Sequence, residues 1–259
     1  MTLIVAALLL AAIFTLVWRL SLRIDNFSIV DVAWAYSFAP VAILYALSLE
    51  GWWVRRLAIA TLVSLSSLRL GTYLFNRVRA HHPGEDARYA VLRERWSGQT
   101  GTAFLKFFLA QALLVWLLML PVFLICREAT QGFVLLEWCG FAMWIVALVG
   151  EGVADAQLRR FKSRSSDRSS VCREGLWRYS RHPNYFFQSF LWWGLFLMAL
   201  PTAWGLTAVL APIAMLWFLL RVTGIPLTEQ LAVESKGESY RQYQKTTSAF
   251  VPWFQKSHP

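Results

Sequence analysis

The sequence has few charged residues for its length, which argues against a water-soluble globular fold. Charged residues make up 15% of the 259 positions, whereas soluble domains carry about 25%. There is no CxxC pair among the three cysteines, Cys126, Cys139 and Cys172, so zinc and disulfide frameworks are not indicated and we expect no metal. There is no Gly-x-Gly-x-x-Gly turn, which argues against a Rossmann dinucleotide site.

Long apolar runs are what the sequence has instead: 57% of its residues are hydrophobic and 14 are Trp. A bilayer core about 30 Å thick needs about 20 apolar residues in a helix. Seven runs of about that length predict membrane spans at Thr2–Trp18, Phe27–Leu49, Trp52–Phe75, Ala103–Ile125, Phe133–Val153, Tyr185–Leu200 and Thr202–Leu220. Because Arg follows the first run and no charge precedes it, we expect an uncleaved span rather than a signal peptide. The Glu50-Gly51 turn predicts that spans two and three are antiparallel neighbours.

The distribution of basic residues predicts the orientation of these spans. With the N-terminus outside, the cytoplasmic loops and C-terminal tail hold 21 of the 25 Lys and Arg residues, as the positive-inside rule requires. The net charge of +10 would otherwise suggest a nucleic-acid partner. We interpret it as orientation and contact with membrane lipids, and expect no nucleic-acid partner.

These features predict one all-α, polytopic membrane domain over residues 1–259, with about seven transmembrane helices and a cytoplasmic C-terminus. The longest polar stretches are Arg77–Gly101, Arg159–Asn184 and Glu229–Pro259. All three fall on the expected cytoplasmic side, so a site for a large polar cofactor is expected there.

Ionisable residues inside a span cost several kcal/mol unless paired or hydrated, so each is a functional candidate. Asp31 lies one turn into span two, and Arg69 and Tyr73 share one face of span three. Asp31 is either functional or a near-interface acid that pairs with Arg23 or Arg69. Tyr73 alone would be typical of an interfacial aromatic belt.

Two further patterns lie near the later spans. Glu151, Asp155 and Arg159 recur every four residues, which fits either a cofactor-facing edge or an exposed helix end. The run 175–185, Gly-Leu-Trp-Arg-Tyr-Ser-Arg-His-Pro-Asn-Tyr, leads into span six. Its arginines and helix start suit a phosphate or carboxylate, or alternatively anionic lipid headgroups.

The run 175–185 resembles the signature shared by steroid 5-alpha-reductases and membrane methyltransferases such as isoprenylcysteine carboxyl methyltransferase and the phospholipid methyltransferases. The greatest similarity is to a bacterial branch grouped with the reductases, which implies a multi-pass protein of the bacterial inner membrane. The matching stretches are 28–34, 69–75, 84–89, 175–185, 191–194 and 247–253, and the most motif-rich part is 133–259.

The resemblance implies a helical fold that binds NADPH from the cytoplasm and a steroid-like or other lipophilic enone from the bilayer. Its cofactor-binding positions would be Arg77, Asp155, Arg159, Arg178, Arg181, His182, Asn184, Tyr185, Gln188, Arg221 and Glu229. Tyr73 would polarise the substrate carbonyl, and Asp31 takes the place of the family's glutamate on the second helix. A protonated Asp31 could be a second donor, unless Arg69 pairs with it.

Two departures leave other functions open. The reductases carry Gly-Glu where this chain has Phe187-Gln188, and the methyltransferases carry Glu-Glu where it has Glu229-Gln230. One alternative is a methyltransferase that uses S-adenosylmethionine on a lipid or prenylated substrate. Another is a non-enzymatic membrane scaffold whose basic loops bind acidic lipids.

Overall fold

The computed structural model describes residues 1–165, 167, 169–222 and 224–255, so the last four residues of the predicted polar tail lie outside it. Regular structure in these residues is helical, apart from one isolated parallel bridge between Ser180 and Ser248. The chain forms two compact units, Met1–Phe133 with Thr202–Gly205, and Val134–Pro201 with Leu206–Pro259. Each unit is described by itself, and a single domain over 1–259 stays a prediction.

The N-terminal unit contains six helices. Their bounds are α1 Thr2–Ile24, α2 Ile29–Ser48, α3 Trp53–His81, α4 Ala87–Arg95, α5 Thr100–Leu118 and α6 Leu120–Arg127. Helices α2 and α3 pack against each other across the Glu50-Gly51 turn, as predicted. A Cβ at Gly51 would collide with the backbone carbonyls of Cys126 and Glu128, so the turn requires glycine.

A proline in α2 is accommodated by a hydroxyl from α3. Pro40 lies inside α2, where a proline disturbs the preceding turn of backbone hydrogen bonds. Ser67 Oγ donates to the Ala35 carbonyl at 2.6 Å and accepts from the Ala39 N–H at 3.2 Å. Membrane helices tolerate proline when a neighbouring side chain satisfies the freed groups in this way, and here the contact also joins α2 to α3.

Two arginines at the start of α3 are solvated by backbone carbonyls. Arg55 is buried and donates to the carbonyls of Glu128, Thr130 and Gly132 at 3.2, 2.6 and 2.6 Å. Arg56 donates to the carbonyls of Ala46 and Leu49 at the end of α2. These contacts fix the turns at this end of the unit.

The C-terminal unit consists of a close helix pair and a set of shorter helices. Its α-helices are α7 Leu135–Arg164, α8 Pro183–Ala199, α9 Leu210–Trp217, α10 Ile225–Lys236 and α11 Glu238–Thr246. A 3₁₀ turn covers Gly175–Arg178, and a π-helical turn at Phe218–Val222 follows α9. At the crossing of α7 and α8, a Cβ on Gly140 would lie 2.7 Å from the Gly194 carbonyl. Small residues thus permit the close approach typical of membrane helix pairs.

In the described residues, six helical segments are long and apolar enough to cross a membrane. They are Thr2–Ile24, Ile29–Ser48, Trp53–His81, Thr100–Arg127, Leu135–Arg164 and Gly205–Lys236. The predicted sixth span is the 17-residue helix α8, at the lower end of the length that crosses a bilayer. The protein is therefore an all-helical, multi-pass membrane protein.

Three of these helices extend well beyond the predicted spans. Helix α1 continues past Trp18 to Ile24, α3 continues past Phe75 to His81, and α7 continues past Val153 to Arg164. The sequence interpretation ended each span where the residues become polar. Residues such as Arg, Lys and Gln are good helix formers, so hydropathy marks the end of the apolar stretch and not of the helix.

Candidate functional site

A polar cluster in the N-terminal unit surrounds the carboxylate of Asp31, in the first turn of α2. Arg88 Nη2 donates to Asp31 Oδ2 at 2.6 Å, and the Tyr89 hydroxyl donates to Oδ1 at 2.6 Å. Arg77 Nη2 lies 3.6 Å from the same carboxylate. Burial, followed by the charge of Asp31, raises the pKa of Tyr89 well above its ordinary value, so this hydroxyl stays a donor.

Asp86 completes this cluster and starts α4. Its Oδ1 accepts from the Arg88 N–H at 3.0 Å and from Arg88 Nε at 3.0 Å, while Arg77 lies 3.1 Å from Oδ2. Its own N–H donates to Ser28 Oγ at 2.9 Å. Burial disfavours the ionised form of Asp86, but hydrogen bonds and charge from Arg88, with the charge of Arg77, outweigh burial and lower its pKa. The cluster therefore ties the start of α2 to α3 and α4.

These contacts change the interpretation of Asp31. If Asp31 has no functional role, the sequence interpretation offered Arg23 or Arg69 as its partner. The structure places Arg88 and Arg77 beside its carboxylate, and Arg88 comes from a helix that the sequence did not resolve. A carboxylate that accepts from an arginine and a tyrosine is an acceptor, so the contacts do not support a protonated, donating Asp31. Tyr73 lies half-buried on α3, one turn before Arg77.

A second cluster, in the C-terminal unit, is built around the carboxylate of Glu229 on α10. Arg181 Nε and Nη2 donate to its two oxygens at 2.6 and 2.9 Å, forming a bidentate ion pair. His182 Nε2 lies 3.1 Å from Oε1. From α11, Gln244 Nε2 donates to Oε2 at 2.8 Å, and the Tyr240 hydroxyl lies 3.3 Å from Oε1. Glu229 thus joins α10, α11 and the entrance to α8.

The segment after α11 closes around the same entrance. The Arg181 N–H donates to the Ser248 carbonyl at 2.9 Å, and Ser180 Oγ donates to the Phe250 carbonyl at 2.8 Å. The Trp253 N–H donates to the Tyr179 carbonyl at 2.9 Å. Residues 248–253 therefore form a strap across the loop that leads into α8.

The role predicted for Arg181 needs correction. Its Nη1 donates to the carbonyls of Gln244 and Thr247 at 3.0 and 2.5 Å, in addition to the two bonds with Glu229. Four of the five guanidinium N–H groups are thus used by the protein itself, and the residue is buried. Arg181 positions the entrance to α8, and the contacts do not support a phosphate-gripping role.

Two carboxylates on α7 face two amides on α8. Asn184 Nδ2 donates to Asp155 Oδ1 at 3.3 Å. One turn along, the Gln188 amide faces Glu151; with its nitrogen towards the carboxylate, the donor lies 2.9 and 3.1 Å from the two oxygens. Glu151 and Asp155 are 4% and 3% exposed. We call these two pairs the carboxylate–amide rungs.

The burial of these carboxylates bears on the two interpretations of the stripe at 151, 155 and 159. Glu151 and Asp155 are buried against α8, so the exposed-helix interpretation is wrong for them. Arg159 is exposed, one turn beyond Asp155. A buried carboxylate between membrane helices is costly and marks a functional candidate.

Of the other predicted cofactor residues, Arg77 belongs to the N-terminal cluster, and the rest lie in this unit. Arg178 and Arg221 are exposed. The Tyr185 ring stacks on His182 with centroids 5.4 Å apart, and its hydroxyl lies 3.5 Å from Thr228 Oγ1. The structure therefore brings together Arg181, His182 and Glu229, and separately Asp155 with Asn184, whereas the grouping of the exposed arginines with them stays a prediction.

An apolar cavity of about 490 Å³ lies within the C-terminal unit. Its walls come from α7, α8, α9 and the strap: Met143, Phe186, Ser189, Phe190, Trp193, Phe196, Leu197, Leu216 and Phe250. The volume is typical of small-molecule sites. No group of three or more His, Cys, Asp or Glu side chains in the described part of the chain could hold a metal ion.

The fold and the polar clusters define a multi-pass membrane protein with buried charged groups at the ends of its helices. Residues 17–247 match a family described as a protein of unknown function, DUF1295. Because the match covers most of the chain, the protein belongs to this family. Comparison with curated proteins and with solved structures finds no match.

Several residues of the clusters were not predicted from the sequence. Arg88, Tyr89 and Asp86 lie in the stretch 84–89, and Thr247 opens the stretch 247–253. Both stretches were part of the resemblance, but no role was assigned to them. Tyr240 and Gln244 carried no signal, because polar residues on an amphipathic helix outside the membrane are ordinary.

Proposed function

We propose that this protein is a membrane-embedded, NADPH-dependent reductase of a conjugated double bond in a steroid-like or other lipophilic enone. The observation that carries the proposal is the pair of carboxylate–amide rungs between α7 and α8. Two buried carboxylates and two half-buried amides place acceptors and donors side by side. Such a set suits the hydroxyl and carboxamide groups of a nicotinamide nucleotide.

Glu151 is relevant to one departure from the reductase pattern, the presence of Gln188 where the reductases have a glutamate. They carry a carboxylate where this chain has Gln188, and here the facing helix places Glu151 at hydrogen-bond distance from Gln188. A carboxylate is therefore present beside that position, although it belongs to α7. This supports a reductase more than the sequence alone did.

The residues present fit the cofactor by their chemistry. Asp155 with Asn184, and Glu151 with Gln188, would hold hydroxyl and amide groups. The exposed Arg159, Arg178 and Arg221 would meet phosphates, for which arginine is well suited. The bound NADPH would supply the hydride that adds to the far carbon of the conjugated double bond.

The chain itself would stabilise the charge that develops on the substrate carbonyl oxygen. The Tyr73 hydroxyl is the donor that we assign to this task, since a preorganised donor is worth most in a water-poor site. Asp31 would act indirectly, because its carboxylate orders Arg88 and Tyr89 beside α3. Arg181 and Glu229 would hold the entrance to α8 in place.

Ligand-dependent thermal stability of the purified protein in detergent tests the cofactor. We expect NADPH at 100 times its dissociation constant to stabilise the protein by about 2.7 kcal/mol. Asp155→Asn should lose this stabilisation, whereas Glu234→Gln on the exposed face of α10 should keep it. A shift with S-adenosylmethionine and none with NADPH or NADH would replace the reductase with a methyltransferase.

A tyrosine variant tests the catalytic assignment. Tyr73→Phe should retain the NADPH-dependent shift and lower the turnover of a steroid enone by about 10²-fold or more, the loss typical of a missing oxyanion donor. Tyr36→Phe is the matched control, because it removes a hydroxyl that bonds Thr72 on the exposed side of α3. Unchanged turnover in Tyr73→Phe would remove Tyr73 from the mechanism.

A further inference from the structure

The apolar cavity and the carboxylate–amide rungs lie on different sides of α8. The cavity is lined by Phe186, Phe190 and Trp193, which follow one face of the helix. The rungs use Asn184 and Gln188, each two positions earlier. Because each residue turns an α-helix by about 100°, the two sets are about 200° apart across a body about 10 Å wide. The cavity and the rungs therefore share no residue, and their α8 residues point in largely different directions, although α7 contributes Met143 to the cavity and both carboxylates to the rungs.

The chemistry of the walls argues against a charged group inside the cavity. Of the nine described residues that line the cavity, one has a hydroxyl, Ser189, and the others are aromatic, aliphatic or Met. Burial of a charge in such surroundings is strongly unfavourable without a partner. Three walls are membrane helices, so the molecules at highest concentration around them are lipids.

The cavity is elongated along the helix. Its lining on α8 runs from Phe186 to Leu197, eleven residues that span about 16 Å at 1.5 Å per residue. At the end next to the strap, the Phe250 ring stands edge-on to Phe186 with centroids 5.8 Å apart. An apolar space of this length and volume suits an extended hydrocarbon chain.

We propose that this cavity is a lipid site, separate from the proposed cofactor site, that holds one long acyl chain. The chain could belong to a phospholipid or to a free fatty acid, because both present the same hydrocarbon to the walls. The bound chain would fill the space between α8, α9 and the strap, and would support the packing of Phe250 against Phe186.

The test compares two tryptophan variants of the full-length protein. Leu216→Trp adds bulk to the cavity wall on α9, and Ile213→Trp adds the same bulk on the exposed side of the same helix. Native mass spectrometry after mild delipidation, followed by titration with oleate or with a dioleoyl phosphatidylglycerol vesicle, measures binding. We expect at least tenfold weaker binding in Leu216→Trp and unchanged binding in Ile213→Trp. The two probes separate the two lipid sources.

A second variant that fills the cavity, Met143→Trp on α7, keeps the test valid if Leu216→Trp does not fold. Both filled variants should keep the NADPH-dependent stabilisation. This stabilisation is first measured in the wild type, where it tests the proposed function independently of the lipid site. Wild-type lipid binding in both filled variants would overturn the proposal. So would displacement of the acyl probe by a steroid enone, since the cavity would then be the substrate chamber.

Discussion

Each unit uses an arginine–carboxylate cluster to hold a polar segment at the end of its membrane helices, but the clusters differ in redundancy. In the N-terminal unit two carboxylates, Asp31 and Asp86, share two arginines, Arg77 and Arg88. In the C-terminal unit the single carboxylate of Glu229 serves every donor. The first cluster can lose one carboxylate and keep an ion pair, whereas the loss of Glu229 leaves the second cluster without a carboxylate.

The largest loss of stability is expected when Glu229, the carboxylate of the second cluster, is replaced. Glu229→Gln would leave the buried guanidinium of Arg181 without a charged partner, which typically costs about 3–5 kcal/mol. We expect a matching loss in the free energy of unfolding in mixed micelles, while the exposed Glu234→Gln on the same helix changes little. Equal stability of the two variants would show that α10 and α11 do not depend on this ion pair.

A smaller effect is expected in the N-terminal unit. In Arg88→Met, Asp86 keeps Arg77 at 3.1 Å and Asp31 keeps the Tyr89 hydroxyl at 2.6 Å. The loss should then be about 2 kcal/mol, the size of a hydrogen bond to a charged group. Arg79→Met, at an exposed position on α3, is the control. A loss as large as that of Glu229→Gln would contradict the redundancy.

The smallest effect on stability is expected when the pH is lowered. Because the folded protein lowers the pKa of Asp86, this group contributes stability that is present at neutral pH and is lost as the pH falls through the lowered pKa. Asp86→Asn lacks this contribution at every pH. The stability difference between wild type and Asp86→Asn should therefore shrink as unfolding is measured from pH 7 towards pH 3. A difference that is constant with pH would mean that the charge of Asp86 is not what stabilises the cluster.

The membrane fold was predictable because length and hydropathy specify spans directly. The α2–α3 hairpin followed from its short turn, whereas the orientation of the spans stays a prediction. The lengths of α3 and α7 were not predictable, because helix formation continues into water while hydropathy does not. Helix α8 has 17 residues, which is the lower limit of the length that crosses a bilayer.

Parts of the candidate site were predictable for a different reason. The unusual run 175–185 pointed to Arg181, His182 and Asn184, and the cost of burial pointed to Asp31. The four-residue spacing of 151, 155 and 159, with the resemblance, pointed to Asp155. The partners were not predictable, because Arg88, Gln244 and Thr247 reach the clusters from segments distant in sequence. The sequence also could not show that the N–H groups of Arg181 donate to Glu229 and to backbone carbonyls.

The carbonyl-bound arginines at the start of α3 bear on how orientation is inferred from charge. Arg55 and Arg56 are two of the four basic residues that do not fit the expected charge asymmetry. Each donates to backbone carbonyls of its own unit, so peptide dipoles solvate its charge in the folded protein. Such residues are best omitted when basic residues are counted to predict the orientation of the spans. Their replacement should disturb the α2–α3 and 128–132 turns without reversing the orientation of the protein in the membrane.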